Sequence, residues 1–148
     1  MTREELLDFM RSHTYAVQAS VSQSSSAQAA VIGIAVTDAF EIVFDTIDTT
    51  RKAANFIGNP RIAVVIGGWT PGDERTLQYE GVVDRPQGSA LERLRQVYYA
   101  AHPEGRERLS WPGIVYLRAR PMWIRYSDFN RNPALILELA AGQIEALT

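Results

Sequence analysis

The chain has 148 residues, a formal net charge of −2, 46% hydrophobic and 22% charged residues, and no cysteine. These values predict a single globular domain over residues 1–148, and the lack of cysteine excludes disulfides and zinc–thiolate sites. The small net charge and the lack of an apolar run of about 18 residues lead us to expect no nucleic-acid or membrane partner.

The amino-terminal residues predict a helix rather than a targeting signal. The first ten residues include acids and lack the basic-then-apolar order of a secretory signal, so we expect a cytoplasmic protein. Thr2 and Glu5 have capping-box spacing, which predicts a helix to about Arg11. Tyr15–Val21 has the period of a half-buried strand, and Ser22–Ser26 reads as a hairpin loop.

The middle of the chain predicts strands around one short helix. Gln28–Val36 is nearly all small or apolar, which is typical of a strand with both faces covered. Phe40–Asp45 and Arg61–Ile66 predict two more strands. Between them, Thr49 or Thr50 can cap a helix that a Gly-Asn-Pro sequence ends.

The second half predicts one strand, a longer helix and two further strands. The strand covers Arg75–Val83, and Ser89 with Glu92 forms a second capping box at the start of the helix. Two strands follow, at Ile114–Ala119 and Met122–Asp128, separated by Pro121.

The carboxyl-terminal tail, residues 130–148, is ambiguous. Leu135–Leu139 suits a buried strand and Ala140–Leu147 has helical propensity, and the residues alone leave the division between them open. The whole pattern predicts about six mostly antiparallel strands with helices at one side, a compact barrel of α+β character.

The start of the short central helix carries the strongest functional signal. Arg51 and Lys52 occupy its first turn, where the helix dipole disfavours cations by about 0.3–1 kcal/mol each. An anion, most naturally a phosphate, would reverse this cost among free N–H groups and threonine hydroxyls. The alternative is that Asp45 and Asp48 neutralise the two cations as surface ion pairs.

Two segments resemble the pyridoxamine 5′-phosphate oxidase family of FMN-binding split barrels. They are Phe44–Arg61, which reads FDTIDTTRKAANFIGNPR, and Pro121–Phe129, which reads PMWIRYSDF. The resemblance extends over about Met1–Phe129. It implies a six-stranded antiparallel split β-barrel with flanking helices. It also implies a homodimer with FMN at the subunit interface.

The resemblance also implies a set of cofactor-binding residues. Thr50, Arg51 and Lys52 match the phosphate clamp of the family, and Thr46 matches its hydroxyl just beyond the preceding strand. Arg75 and Thr76 lie on the strand where the family has polar contacts to the flavin ring, although a glutamine is more usual than Thr76.

Trp123 and Arg125 are the candidate substrate-binding residues. They alternate on one face of the last predicted strand, and Arg125 matches an arginine that contacts substrate in the true oxidase. Together they would form a stacking wall with an anion anchor. The alternative is a tryptophan in the core or in a dimer contact, with Arg125 paired to Asp128 or Glu80.

The chain also departs from the family pattern. The run Ala30–Ala35 lacks two cations that the oxidase contributes to the cofactor phosphate, and Ser127 and Phe129 replace a histidine and an arginine of its substrate site. We therefore do not predict a true pyridoxamine phosphate oxidase. A deazaflavin coenzyme, whose phosphate could use the same clamp, is an alternative to FMN.

The functional prediction is a flavin-dependent oxidoreductase with a small-molecule substrate of unknown identity. No residue is typical of a general acid or base, so the catalytic residues stay unassigned, and with only His13 and His102 as histidines we predict no metal site. The alternative is a dimer that binds a flavin or a phosphorylated metabolite as a carrier or sensor without catalysis. A protein with no ligand would need another reason for the two crowded cations.

Overall fold

A computed structural model describes all residues, 1–148, as eight strands, four α-helices and one 3₁₀ helix. In chain order the elements are α1 Arg3–Arg11, β1 Tyr15–Val21, β2 Ala27–Gly33, β3 Ala35–Val36, β4 Ile42–Ile47, α2 Arg51–Gly58, β5 Arg61–Gly67, β6 Arg75–Asp84, α3 Gly88–Ala101, the 3₁₀ helix Pro103–Ser110, β7 Ile114–Asp128, β8 Leu135–Ala140 and α4 Ala141–Ala146. None of the helices combines the length and the apolar character needed to cross a bilayer.

The strands form one curled antiparallel sheet in the order β2-β1-β5-β6-β7-β4-β3, with β8 added beside β7. The first half of β7 pairs with β4 and its second half pairs with β8, so β4 and β8 lie end to end along it. The predicted fold class, an antiparallel split barrel with flanking helices, is confirmed, with eight strands in place of six.

Two apolar clusters hold the fold together. The larger has 25 buried residues inside the curled sheet, including Leu6 and Met10 of α1 and Phe44 of β4. The smaller has six buried residues, among them Tyr98 and Tyr116, and joins α3 to β3, β4 and β7. Burial of apolar surface on both sides of β4 therefore fixes the strand that leads into α2.

The two predicted capping boxes have different outcomes. The first is confirmed, because the Thr2 side chain accepts from the Glu5 amide and the Glu5 carboxylate accepts from the Thr2 amide. The second is wrong, because α3 begins at Gly88, one residue before Ser89, after a residue with no side-chain cap. Glu92 instead accepts a hydrogen bond from Arg95, at 2.7 Å.

The predicted strand Gln28–Val36 is divided in the structure. Its first part pairs with β1 and its last two residues pair with β4, so the chain passes from one edge of the sheet to the other. At Gly33 a Cβ would lie 2.9 Å from the His102 ring, so a side chain there would not fit. The expectation that both faces are covered is also wrong, since Val31 is 70% exposed.

The predicted pair of strands around Pro121 is one continuous strand of 15 residues. A register shift between Glu80 and Gly81 of β6 forms an irregularity opposite this point. Bulges tolerate proline because the ladder hydrogen bond is already interrupted there, so Pro121 does not end β7.

The ambiguous tail forms both predicted elements, with the division after Ala140. In β8, Leu139 is buried and Leu135 and Leu137 pack against the main core. The Arg3 guanidinium donates to the carbonyls of Ile144 and Leu147, at 3.5 and 3.3 Å, and so holds the end of α4. The tail is therefore an integral part of the fold.

Candidate functional site

Two threonine hydroxyls form hydrogen bonds at the start of α2. Thr50 is the N-cap with extended backbone dihedrals, and its hydroxyl accepts a hydrogen bond from the Ala53 amide at 3.3 Å. Thr46, at the end of β4, is 7% exposed, and its hydroxyl lies 3.0 Å from that of Thr50. The strand and the helix are therefore linked through the residues predicted to contact a phosphate.

The two cations of α2 have no carboxylate partner. Arg51 and Lys52 are the first two residues of the helix, its first turn contains no acid, and neither residue takes part in any of the ion pairs of the chain. Lys52 is also the only lysine in the sequence. The positive end of the helix dipole and two unpaired charges thus coincide at one point of the surface.

The two nearby carboxylates form no ion pair with these cations. Asp45 accepts hydrogen bonds from Arg108 at 2.8 Å and from the Tyr98 hydroxyl at 3.0 Å. Burial, together with the charge of Asp45, raises the pKa of Tyr98 well above its usual range. The Asp48 carboxylate lies against Gly113, whose φ is +76° and where a Cβ would be 2.5 Å from Asp48 Oδ1. Asp45 and Asp48 therefore do not neutralise Arg51 and Lys52 in the structure.

Arg75 and Thr76 lie on opposite faces of β6. Arg75 forms a two-point interaction with Asp73, with both distances at 2.7 Å, and its guanidinium lies 5.3 Å from the centre of the Phe9 ring. Hydrogen bonds from Arg75 lower the pKa of Asp73 to about 2. Thr76 is directly opposite Ser127 on the other face. One planar ligand on one face of β6 could not contact both side chains of the predicted pair.

Trp123 and Arg125 lie on the side of the sheet that faces away from the main core. We call this side the outer sheet face; it includes Val17, Ala19, Val31, Ala63, Val65, Thr76, Gln78, Glu80, Trp123, Arg125, Ser127, Ile136 and Glu138. Arg125 makes no ion pair, and its Nε is buried without a hydrogen-bond partner. Asp128 pairs with Arg131 instead, at 3.1 Å, and Arg125 pairs with neither Asp128 nor Glu80, so the alternative pairing is absent.

A largely apolar groove lies beside these residues. It has a volume of about 350 Å³, and seven of its eleven lining residues are hydrophobic. Its walls include Ala63 of β5, Glu80 and Val82 of β6, and Met122 of β7. Glu80 is directly opposite Trp123 in the sheet, so one wall of the groove adjoins a predicted substrate residue. No three His, Asp or Glu side chains are close enough together to form a metal site.

Sequence reasoning missed one residue of this face. Glu138 of β8 accepts a hydrogen bond from the Trp123 indole at 3.0 Å and is directly opposite Arg125. The signal was the period-two run Leu135, Leu137 and Leu139, which turns the intervening glutamate outward once the segment is assigned as a strand.

The sequence model of a protein family described as pyridoxamine 5′-phosphate oxidase matches residues 2–128 of the chain. The chain belongs to this family. The matched part contains α2 and both halves of β7, whereas β8 and α4 lie beyond it. No curated protein matches the sequence at a significant level.

Several solved structures share the fold of this chain. A heme binding protein from Mycobacterium smegmatis has a TM-score of 0.83 and 15% identity over 97% of this chain, which spans 60% of that protein's length. A putative pyridoxamine 5′-phosphate oxidase from Listeria innocua has a TM-score of 0.70 and 18% identity over 84% of this chain and 96% of the other.

A third structure is a pyridoxamine 5′-phosphate oxidase-related, FMN binding protein from Nostoc punctiforme. Its TM-score is 0.64, with 13% identity over 93% of each chain. At these identities the likeness establishes the fold alone.

Proposed function

We propose that the chain is a flavin-dependent oxidoreductase that holds the phosphate of FMN, or of a deazaflavin, at the start of α2. The observation that carries the proposal is the pair Arg51 and Lys52, two cations without an ion-pair partner at the positive end of a helix dipole. Family membership and the FMN-binding relative from Nostoc punctiforme add support.

The donors at this point match the chemistry of a phosphate. Arg51 and Lys52 would supply charge-assisted hydrogen bonds, and the hydrogen-bonded pair of Thr46 and Thr50 hydroxyls would supply one neutral donor. Backbone N–H groups of the first turn have no partner within the helix and add further donors. Thr76, on the outer sheet face, is free to contact the flavin ring. Arg75 is not assigned to the flavin, because its guanidinium donates hydrogen bonds to Asp73.

A bound flavin would supply a ring that accepts or donates a hydride, and the chain would supply position and polarity. In this proposal Trp123 provides a flat surface for a small substrate, and Arg125 provides a donor with a buried, unpaired Nε. No side chain is assigned as an acid or base.

We further propose that two copies of the chain assemble through the outer sheet face. This face and its rim expose large apolar side chains, including Val31 at 70%, Ile136 at 47% and Val65 at 41%. Large exposed apolar side chains on one face favour its burial against a partner. Sedimentation should give a dimer, and a monomer at micromolar concentration would leave the proposed cofactor site with one wall.

A carrier or sensor is the second candidate function. It is favoured by Ala30 and Ala35 at the two positions where the oxidase has cations, and by the lack of an assigned acid or base. A flavin that binds but is not reduced by a nicotinamide or by another common biological reductant would support this candidate over the enzyme.

The test is the visible spectrum of the purified protein, followed by titration with FMN, a deazaflavin and haemin. We expect flavin binding, weakened by about 2–4 kcal/mol in the double variant Arg51→Ala/Lys52→Ala, because charge-assisted bonds contribute about 1.5–3 kcal/mol each with incomplete additivity. The matched control is Arg85→Ala/Arg93→Ala, which removes the same charge from two exposed positions.

Three results would count against the proposal. Absence of flavin uptake at micromolar concentration removes it, and equal loss of affinity in both double variants shows a general charge effect. Uptake of haemin alone would favour a haem protein, in line with the Mycobacterium smegmatis relative.

A further inference from the structure

Glu138 lies beside both residues of the predicted ligand wall, Trp123 and Arg125. Its carboxylate accepts the indole N–H of Trp123 at 3.0 Å, which restricts the orientation of the ring. In the ladder between β7 and β8, Glu138 is directly opposite Arg125. Directly opposed side chains have Cβ atoms about 4.5–5.5 Å apart, so the two charges are neighbours without forming an ion pair.

The charged side chains around Arg125 leave no net positive charge to attract an incoming anion. On the other side of β7, Arg125 is opposite the neutral Gln78, and Glu80 is one diagonal step away. On β5 the nearest cation of the face, Arg61, is diagonal to Glu80 rather than to Arg125. The four charged side chains therefore sum to zero, and the carboxylate directly opposite Arg125 is Glu138. The start of α2, in contrast, has two cations and no acid in its first turn.

The strand that carries Glu138 is firmly held. It pairs with six residues of β7, and Leu139 is only 6% exposed. The following helix is anchored through the Arg3 guanidinium. Because this strand lies beyond the part of the chain that matches the family, Glu138 is a feature of this chain rather than of the matched segment.

We propose that Glu138 is a specificity-determining residue that makes the Trp123–Arg125 wall accept an uncharged planar ligand in preference to an anionic one. This inference rests on the proposed function, which makes the wall part of a ligand site. Glu138 acts in two ways: it holds the indole in one orientation, and its negative charge opposes a carboxylate or phosphate that approaches Arg125.

The test uses two probes of the same shape, benzamide and benzoate, and Trp123 as the reporter. Trp69 and Trp111 are about half exposed, so Trp69→Phe/Trp111→Phe leaves Trp123 as the single tryptophan, which can be excited at about 295 nm apart from the tyrosines. Glu138→Gln keeps an oxygen for the indole N–H but removes the charge, whereas Glu138→Ala removes both. Glu145→Gln, at an exposed position of α4, is the control for charge.

We expect benzamide to quench Trp123 at lower concentrations than benzoate. Glu138→Gln should raise benzoate affinity by about two- to fivefold, the equivalent of a cross-strand charge contribution, and leave benzamide unchanged. Glu138→Ala should in addition shift the emission of Trp123, because its N–H loses the partner.

Binding of benzoate by the unmodified protein as tightly as benzamide, or more tightly, would overturn the inference. Equal effects of Glu138→Gln and Glu145→Gln, or no quenching by either probe, would do so as well. FMN titration separates this inference from the proposed function. Glu138→Gln should leave the affinity for FMN unchanged, so a failure of the probe experiment leaves the proposed function standing. A lack of FMN binding by the unmodified protein counts against the proposed function itself.

Discussion

Removal of the two cations at the start of α2 should stabilise the ligand-free protein. Arg51 and Lys52 each oppose the helix dipole by about 0.3–1 kcal/mol, and neither recovers this cost through an ion pair. Replacement of both by alanine should therefore raise the free energy of unfolding by about 0.5–2 kcal/mol. For a domain of this size that corresponds to a rise in Tm of about 2–6 °C.

Urea unfolding and thermal melting at two salt concentrations are the decisive assays. At about 20 mM NaCl the full gain should be visible, and at about 0.5 M it should shrink because salt screens exposed charges. The control variant Arg85→Ala/Arg93→Ala changes net charge equally without a helix start, so it should show little gain.

Two results would refute this reasoning. A loss of more than about 1 kcal/mol in Arg51→Ala/Lys52→Ala would mean that the cations have a structural partner in solution. A gain that is unchanged in high salt would mean that helix propensity, rather than the dipole, separates alanine from the native residues. In either case the electrostatic basis for a phosphate at this point would be lost.

Two other predictions concern ion pairs near this end of the sheet. Asp45→Asn should destabilise the protein by about 2–4 kcal/mol in urea unfolding, because Arg108 and Tyr98 lose a largely buried carboxylate; no further loss should appear when Arg108→Gln is added. Hydrogen bonds from Arg118 lower the pKa of Asp84, so its contribution is present above the unfolded pKa of about 3.9 and is lost as pH falls through the folded pKa. Asp84→Asn should therefore reduce the acid-induced fall in Tm, and an unchanged pH profile would contradict this.

Local patterns predicted the elements that depend on local interactions. The cap at Thr50 and the end of α2 were predictable because capping involves residues within one turn. The division of the strand after Gly33 was not, because it depends on which strand each part pairs with. Likewise, Pro121 sits inside β7 because Met122, the next residue, is an extra residue in the pairing with Glu80 and Gly81 of β6, which lie about 40 residues earlier in the chain.

The candidate site was predictable to a similar degree. Thr46 and Thr50 are close in sequence and meet as hydroxyls at 3.0 Å. The hydrogen bond from Arg108 to Asp45 joins residues 63 positions apart, so no local sequence pattern predicts it. The separation of Arg75 from Thr76 was available from the two-residue period of a strand.

The uniqueness of Lys52 has a practical consequence for anyone handling this protein. Apart from the α-amine, it is the sole target for succinimidyl esters, aldehyde fixatives and amine-coupled sensor chips. Such reagents would modify the proposed phosphate-binding residue itself, so immobilised or crosslinked samples should lose ligand uptake even when the fold is intact. Thiol coupling through an introduced cysteine on a distant loop avoids this artefact.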